Sequence, residues 1–502
     1  MYPKIEIKIL ERNKTLKPTR VDWSGSGGVY HFLSDFEFIV NVKLGDNLVA
    51  TLDSIPGGLR IDVTLDKKPI IINAGKEQIG ESVIIPIRQH YGPPPRKVRL
   101  SPLRKIGHVS SFGVTCGIAT YLEGLLDAMI PLSGGLEHVA FGEVAPPIDD
   151  RVRTHEGYPK NMPKLFFSWS RDDTNFDRLF EALKREKIDL LHIQHEWSFF
   201  GYDNPVFYDL LYKTKAEGIV NILTWHTVMG PEEGNPNLYK QLFHKLADLV
   251  DMNIVHNPIC FRNLQHWGVP REKIRLVNMW AYPVKNINRK DARRKMLPKK
   301  YWNKKLIVTG GFLQPNKGVI ELMMATSALN RSDLAIICVG GSHPWSPNLY
   351  ENYRKQCVQA AKQLCDVHFE YRFLSDEDAT LYLACADVIV SNYCASLSGI
   401  SGWGRRCLAS QRPVIVTDIR LFQDLQNNST VLKIPPKRTD ELVKALDTLL
   451  TDKKLAARLV ANATRFAHGI SPQRQAEKHI KTYKEIYLKC QAAPMLKTSL
   501  KS

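Results

Sequence analysis

From Lys105 onward the chain alternates short, almost wholly apolar runs with longer amphipathic stretches. The runs are Lys105–Val109, Glu137–Glu143, Ile188–Ile193, Val220–Trp225, Met252–Val255 and Ile274–Val277. An apolar run without polar alternation marks a strand buried on both faces, and most of the intervals are long enough for a crossover helix. A basic segment over 286–304 interrupts the rhythm. A second series follows: Leu306–Val308, Leu334–Val339, Val367–Tyr371, Val388–Val390, Val414–Thr417 and Val431–Ile434. Helical patterns around Thr439–Leu450, Lys454–His468 and Pro472–Lys489 end the chain. The pattern predicts an α/β fold of two doubly wound, Rossmann-like domains facing each other across a cleft.

Residues 1–92 follow a different period. "EFIVNVKLGDNLVATLDS" and "GGLRIDVTLDKKPIIINA" alternate apolar and polar residues, with turn signals at Gly45-Asp46 and Pro56-Gly57-Gly58. This predicts a small all-β module. Gly92-Pro93-Pro94-Pro95 opens a stiff, basic linker over 93–103. The first α/β domain is then expected over 104–285, with 472–502 returning to it, and the second over 286–471.

Ligands of open α/β sheets bind at the carboxyl ends of the strands. The first such end runs into "SFGVTCGIATYLEGLLDAM", with Gly113, Cys116 and Gly117 at the junction. A strand, a glycine loop and a helix start offer free N–H groups and a positive dipole end to an anion. The next ends are "LLHIQHEWSFFG", carrying His192, His195 and Glu196, then "ILTWHTVMG" with His226, and "NIVHNP" with His256. A histidine just past a strand, at the cleft mouth, reads as functional for His226 and for His195 with Glu196. His192 inside its strand and His256 before Pro258 read as structural.

The second half repeats the opening design in "VTGGFLQPNKGVIEL", with Gly310-Gly311, Asn316 and Lys317-Gly318. A lysine at a helix start neutralises a diphosphate, and the sequence is not a Walker A loop. "SNYCASLSGISGWGRRCLASQRPVIVTD" joins two strands through a small-residue loop, and Ser398, Gly399, Ser401, Gly402 and Trp403 there can present backbone N–H groups to phosphate oxygens. Asp376-Glu377-Asp378 follows Ser375 and reads as a capped helix start, not as a metal site.

Composition adds two constraints. The nine cysteines form no C-x-x-C pair and read as free thiols of a reducing compartment. With no span-length apolar run and no h-region at the N-terminus, the chain is placed in the cytoplasm. The net charge of +18 favours an anionic partner. The charge clusters in "NRKDARRKMLPKKYWNKK" (Asn288 to Lys305) and "PPPRKVRLSPLRK" (Pro93 to Lys105).

Six stretches, in order, resemble GT-B-fold retaining glycosyltransferases of family four (glycosyl transferases group 1): "CGIATYLEGL", "DLLHIQHEW", "ILTWHTV", "GGFLQPNKG", "FLSDEDATLYLACADVIVSNY" and "CLASQRPVIVTD". The resemblance spans about Lys105 to Tyr487. It implies a nucleotide-sugar donor as co-substrate, UDP-linked ahead of GDP-linked, with no metal and no cofactor. It places Cys116-Gly117 against the donor diphosphate or the sugar, and His226 near the reacting carbon. It places Gly311, Asn316 and Lys317 at the diphosphate. Tyr371-Arg372-Phe373 would border the base, and Ser401-Gly402-Trp403 would cover the diphosphate. Two departures stand out. Phe312 occupies the place of a usual arginine. Ser398 and Arg406 occupy the places of two usual glutamates, the second of which grips the ribose, a contact arginine cannot make because it accepts no hydrogen bond.

The resemblance covers neither the β module nor the acceptor. A lipid-linked or membrane-associated glycan would use the basic patches for docking. A modified nucleic-acid base is the alternative, with Tyr91, Tyr301 and Trp302 available for stacking. A soluble sugar or protein acceptor would leave the charge unexplained. The competing class is an inactive GT-B module that binds glycan or nucleic acid, which Phe312 and Arg406 would favour.

Overall fold

The computed structural model describes residues 101–499 apart from 115, 145–159, 172, 174–175, 202–203, 234, 342–349 and 396–398, together with Lys97 and nine short strands between residues 5 and 85. The chain divides into two compact units. One comprises Met1–Pro95 with Thr174–Phe176 and Asp203–Ala216; the other comprises Arg96–Asp173, Asp177–Tyr202 and Glu217–Ser502. In the first unit the nine strands pair antiparallel in a four-stranded and a five-stranded sheet.

The second unit holds two parallel sheets. The first has seven strands: Lys105–Ser110, Glu137–Glu143, Lys164–Trp169, Leu190–His195, Val220–Trp225, Met252–Val255 and Ile274–Leu276. In chain order their spatial sequence is 3-2-1-4-5-6-7. The second sheet has Lys305–Gly310, Leu334–Val339, Val367–Glu370, Val388–Ser391, Val414–Thr417 and Leu432–Ile434, in the order 3-2-1-4-5-6. Both are Rossmann-like, with the order reversing beside the first strand. Leu190–His195, Val220–Trp225 and Leu334–Val339 are buried along their whole length, as strands covered on both faces must be.

One strand was not expected. "KLFFSW" at Lys164–Trp169 forms the edge of the first sheet, and its first four residues are only partly buried or exposed. An edge strand with a half-wet face lacks the unbroken burial that marks its neighbours, so the reading by apolar runs passes over it.

The last helix, Pro472–Ser499, leaves the second sheet and packs on the first. Its Ala476, Ile480, Tyr483, Ile486 and Tyr487 share one core with Tyr121, Leu122, Leu125 and Leu126 of the helix Gly117–Met129. Among the described residues no helix is long and apolar enough to cross a membrane. None of the nine cysteines is in a disulfide.

The basic segment Asn288–Lys305 is tied into the second half. Asp387 takes Arg289 (2.6 Å), Arg293 (2.7 Å) and Lys305 (3.8 Å), while Asp366 takes Lys300 (3.4 Å) and Lys304 (2.9 Å). Lys295 pairs with Glu377 at 3.0 Å. Tyr301 is buried with its hydroxyl on Asp366, and Trp302 donates to Leu297 O. Tyr301, offered above for base stacking, is therefore committed inside the fold, whereas Trp302 is half-buried; Tyr91 lies outside the described residues.

Four histidines meet inside the first half. His108 contacts His138 at 2.9 Å, His138 contacts Ser133 Oγ at 2.7 Å, and His192 contacts Tyr483 Oη at 2.7 Å, with His479 beside it. Burial lowers the pKa of all four, to about 4 for His138 and His479. Their folded pKa lies below the unfolded value, so the unfolded chain takes up protons first as pH falls. Stability is therefore lost from about pH 6.5 downward, at ~1.4 kcal/mol per pH unit for each such histidine. The expected result is a thermal midpoint that drops steeply between pH 6.5 and 4, and less steeply in His479→Gln. A midpoint that is flat across that range would contradict this account.

Candidate functional site

The carboxyl ends of the two sheets face one crevice of about 560 Å³. On the first-half side, the loop after Lys105–Ser110 turns at Gly113 (φ +68°), whose N–H donates to Glu123 Oε1 at 3.0 Å. The helix thus anchors its own entry loop with a buried carboxylate. Gly117, the first helical residue, lines the crevice, and a Cβ built there would meet nothing within 4 Å. The helix start faces open space. Cys116 is the N-cap residue, buried behind that start, and is not part of the crevice wall.

His226 follows the strand Val220–Trp225 and lines the crevice. Its Nε2 meets Gln194 Oε1 at 2.9 Å, and Gln194 Nε2 meets His192 Nε2 at 3.2 Å. An amide oxygen only accepts, so His226 Nε2 carries the proton and the ring's lone pair is on Nδ1. Burial, then His256 and His195, hold its pKa well below the ordinary imidazole value, so the ring is neutral. His192 sits two strand positions before Gln194 and also touches Thr224 Oγ1 at 2.7 Å.

His195 does not face the crevice. It lies among Trp225, Trp197 and Phe200, with ring centroids at 4.1, 5.0 and 5.6 Å. Successive strand residues point to opposite faces, so Gln194 points toward His226 and His195 points away. The structure thus places His195 among aromatic side chains and not on the crevice wall. Glu196 does line the crevice. Its carboxylate accepts from Trp197 N and from Thr227 Oγ1, each at 3.0 Å, and burial raises its pKa.

On the second-half side, Gly310, Gly311 and the turn Pro315–Lys317 lead to the helix Val319–Ala328. Gly318 adopts φ +62°, and a Cβ there would sit 2.2 Å from Asn392 O, so no other residue fits. A Cβ at Gly310 would lie 2.4 Å from the Trp403 ring, which packs directly on this backbone. Lys317 Nζ reaches Tyr393 Oη at 2.5 Å and sits 3.8 Å from the centre of the Tyr393 ring. Tyr393 Oη meets Ser401 Oγ at 3.1 Å, and Ser401 caps the helix Gly402–Leu408 through Gly404 N at 3.0 Å. Asn316, Lys317, Gly311, Ser401, Gly402 and Trp403 all line the crevice.

Arg406 also lines it, with its guanidinium 3.5 Å from the Tyr282 ring centre and 2.5 Å from Asp376 Oδ1. The arginine therefore brings a carboxylate, Asp376, to the crevice wall; Ser375 caps that helix through Asp378 N. Phe312 and Phe373 line the crevice with ring centres 6.3 Å apart. Arg372 lies off it, exposed and paired with Asp378 (2.7 Å) and Glu370 (3.3 Å). Ser398 lies outside the described residues.

The two sides also meet directly. Asn257 Nδ2 donates to Gly399 O at 2.7 Å, and Arg420 Nη1 reaches Glu233 Oε1 at 2.9 Å.

Sequence reasoning missed Tyr121, His256, Met279, Tyr282, Tyr393 and Asp376 as crevice residues. His256 had a usable signal: like His226, it stands immediately after a fully buried strand. Tyr121 had none, because one turn into a helix is an ordinary core position.

Two family models match the chain, one described as Glycosyltransferase Family 4 over residues 117–279 and the other as Glycosyl transferases group 1 over 303–452. A search of curated proteins by sequence finds no match. Several solved structures share the fold. One is Anabaena Alr3699/HepE in complex with UDP and glucose (TM-score 0.59, 13% identity, covering 76% of this chain and 100% of that one). Another is sucrose-phosphate synthase (tll1590) from Thermosynechococcus elongatus (0.60, 18%, 77% and 99%). A third is trehalose-6-phosphate synthase OtsA (0.55, 14%, 76% and 99%). At these identities the likeness is one of fold.

Proposed function

The chain belongs to the GT-B glycosyltransferases, and on that premise we propose that it transfers a hexose or pentose from a nucleotide-sugar donor to an acceptor, with retention of anomeric configuration and without a metal. The observation that carries this reading is the shared crevice. The open helix start at Gly117 on one side and Lys317 on the other line the same space. A diphosphate between them would meet free N–H groups, a helix dipole and a lysine. Those groups would meet the charge that grows on the departing nucleoside diphosphate, which is the role a metal plays elsewhere. The UDP and glucose in the Anabaena structure support a UDP-sugar ahead of a GDP-sugar. His226, neutral and with its lone pair on Nδ1, favours positive charge building on the sugar ring in an oxocarbenium-like, same-face transfer.

For the acceptor we favour a glycan presented at an anionic membrane face. What supports it is the charge of +18. The nucleic-acid alternative loses the stacking aromatic Tyr301, which is buried with its hydroxyl on Asp366.

The test is incubation with radiolabelled UDP-, GDP- and ADP-sugars, following donor hydrolysis and the anomer released by NMR. Slow release of the retained anomer, insensitive to EDTA, is expected. No hydrolysis and no donor binding by calorimetry would instead make this an inactive binding module. Salt titrations against anionic vesicles, duplex DNA and single strands separate the acceptors. A steep salt slope on nucleic acid without vesicle binding would reverse the ranking.

A further inference from the structure

Among the described residues, three buried polar atoms of crevice-lining side chains have no hydrogen-bond partner: Tyr121 Oη, His256 Nε2 and Trp403 Nε1, of which the first two lie side by side. Tyr121 is 1% exposed and His256 2% exposed. Their rings meet edge to face with centroids 5.0 Å apart. Folded proteins rarely leave buried polar atoms unpaired, and two together at one crevice point to a ligand that completes them.

Their protonation states follow from their other contacts. His256 Nδ1 lies 2.8 Å from Val277 O, and a carbonyl only accepts, so Nδ1 carries the hydrogen. Burial keeps the ring neutral, with its pKa lowered to about 3, which leaves the lone pair on Nε2. Burial also raises the phenol pKa of Tyr121, so its proton stays on. The pair thus offers one O–H donor and one nitrogen acceptor. A hydroxyl group accepts and donates, and so satisfies both. A carboxylate or phosphate only accepts and would face the imidazole lone pair. A C–H group would leave both atoms unpaired.

Both side chains are held in place before any ligand arrives. Tyr121 stacks on Trp280 at 6.1 Å and 13°, and Trp280 Nε1 donates to Tyr121 O at 3.0 Å. Gly124 makes room for that stack, since a Cβ there would lie 2.5 Å from the indole. Such support is what a selective polar subsite requires. The pair also adjoins His226, whose ring centre is 5.3 Å from Tyr121 and 5.2 Å from His256. Tyr121 stands one turn beyond Gly117 on the same helix.

We propose that Tyr121 and His256 together recognise one hydroxyl of the transferred sugar and so select neutral sugars hydroxylated at that position over deoxy and acidic ones. The proposal rests on the reading of the crevice as a nucleotide-sugar site. It is tested by calorimetry on the full chain with UDP and UDP-glucose, or GDP and GDP-mannose if the donor panel selects guanosine. Tyr121→Phe is expected to leave the affinity for the nucleoside diphosphate within about twofold and to weaken the nucleotide sugar by about 10- to 100-fold. It should not lower the thermal midpoint, because it removes a hydroxyl that is unpaired in the free protein. Across monodeoxy analogues of the sugar, one that the wild type binds weakly should bind equally well to Tyr121→Phe. Unchanged sugar affinity in the variant overturns the proposal, as does an equal loss for UDP alone or a fall in thermal midpoint. Unchanged donor affinity with loss only in transfer would assign the pair to the acceptor, and also overturns it. A wild type that binds neither nucleotide sugar fails the donor reading itself, which is a separate and visible outcome.

Discussion

Lys317→Ala is expected to lower kcat/KM for donor turnover by about 1,000-fold while leaving the fold intact. The leaving group of the proposed reaction carries the pyrophosphate charge, and preorganised positive groups at such a charge are worth roughly 100- to 1,000-fold each. Among the described residues Lys317 pairs with no carboxylate; its contacts are the Tyr393 hydroxyl and ring. The cation is therefore held in place by a tyrosine rather than neutralised by an acid. Tyr393 is fixed in turn through Ser401, so the lysine, the loop and the start of the short helix at Gly402 act as one assembly. Lys317→Arg should rescue little, because a guanidinium cannot occupy the space between Gly311 and the Tyr393 ring in the same geometry. Initial rates of nucleotide release and calorimetry with UDP check both variants. A loss below about tenfold for Lys317→Ala would remove the lysine from the reaction.

The parts of this molecule that were legible in its sequence are those set by local chemistry. Strands buried on both faces are dominated by apolar residues, so all but one of the strands of the two parallel sheets show as runs. The exception, Lys164–Trp169, lies at an edge where that constraint relaxes. The glycine loops were legible because backbone geometry demands them: Gly318 with φ +62° beside Asn392 O, and Gly310 beneath Trp403. Direction was harder. His195 and Gln194 are neighbours at one strand end, and only the register decides which of them reaches His226. Partners distant in sequence were invisible. The basic run Asn288–Lys305 reads as a surface for anions until Asp366 and Asp387 arrive from elsewhere in the fold. Arg406 likewise reads as a lost carboxylate, whereas Asp376 stands on it at the crevice wall.

His226→Ala is expected to reduce kcat and kcat/KM together by about 100- to 1,000-fold and to leave donor affinity within a few-fold. An interaction realised only in the transition state gives that signature, whereas uniform binding raises KM alone. The geometry supports the first kind. The ring is neutral because burial outweighs any gain from a proton, so it brings no charge to the ground-state diphosphate. Its Nε2–H is bound to Gln194, which is backed by His192, Thr224 and Tyr483. That chain fixes both the plane of the ring and the nitrogen that bears the lone pair. A fixed lone pair costs no reorganisation when positive charge appears on the sugar, and such preorganisation lowers a barrier. Because the imidazole stays neutral well below its ordinary range, its protonation should place no break in the profile of kcat against pH between 6 and 8. Steady-state rates across that range, with donor affinity measured separately by calorimetry, decide the matter. Equal losses in affinity and turnover, or a break near pH 6.5 that vanishes in His226→Ala, would place the ring in ground-state binding or proton transfer instead.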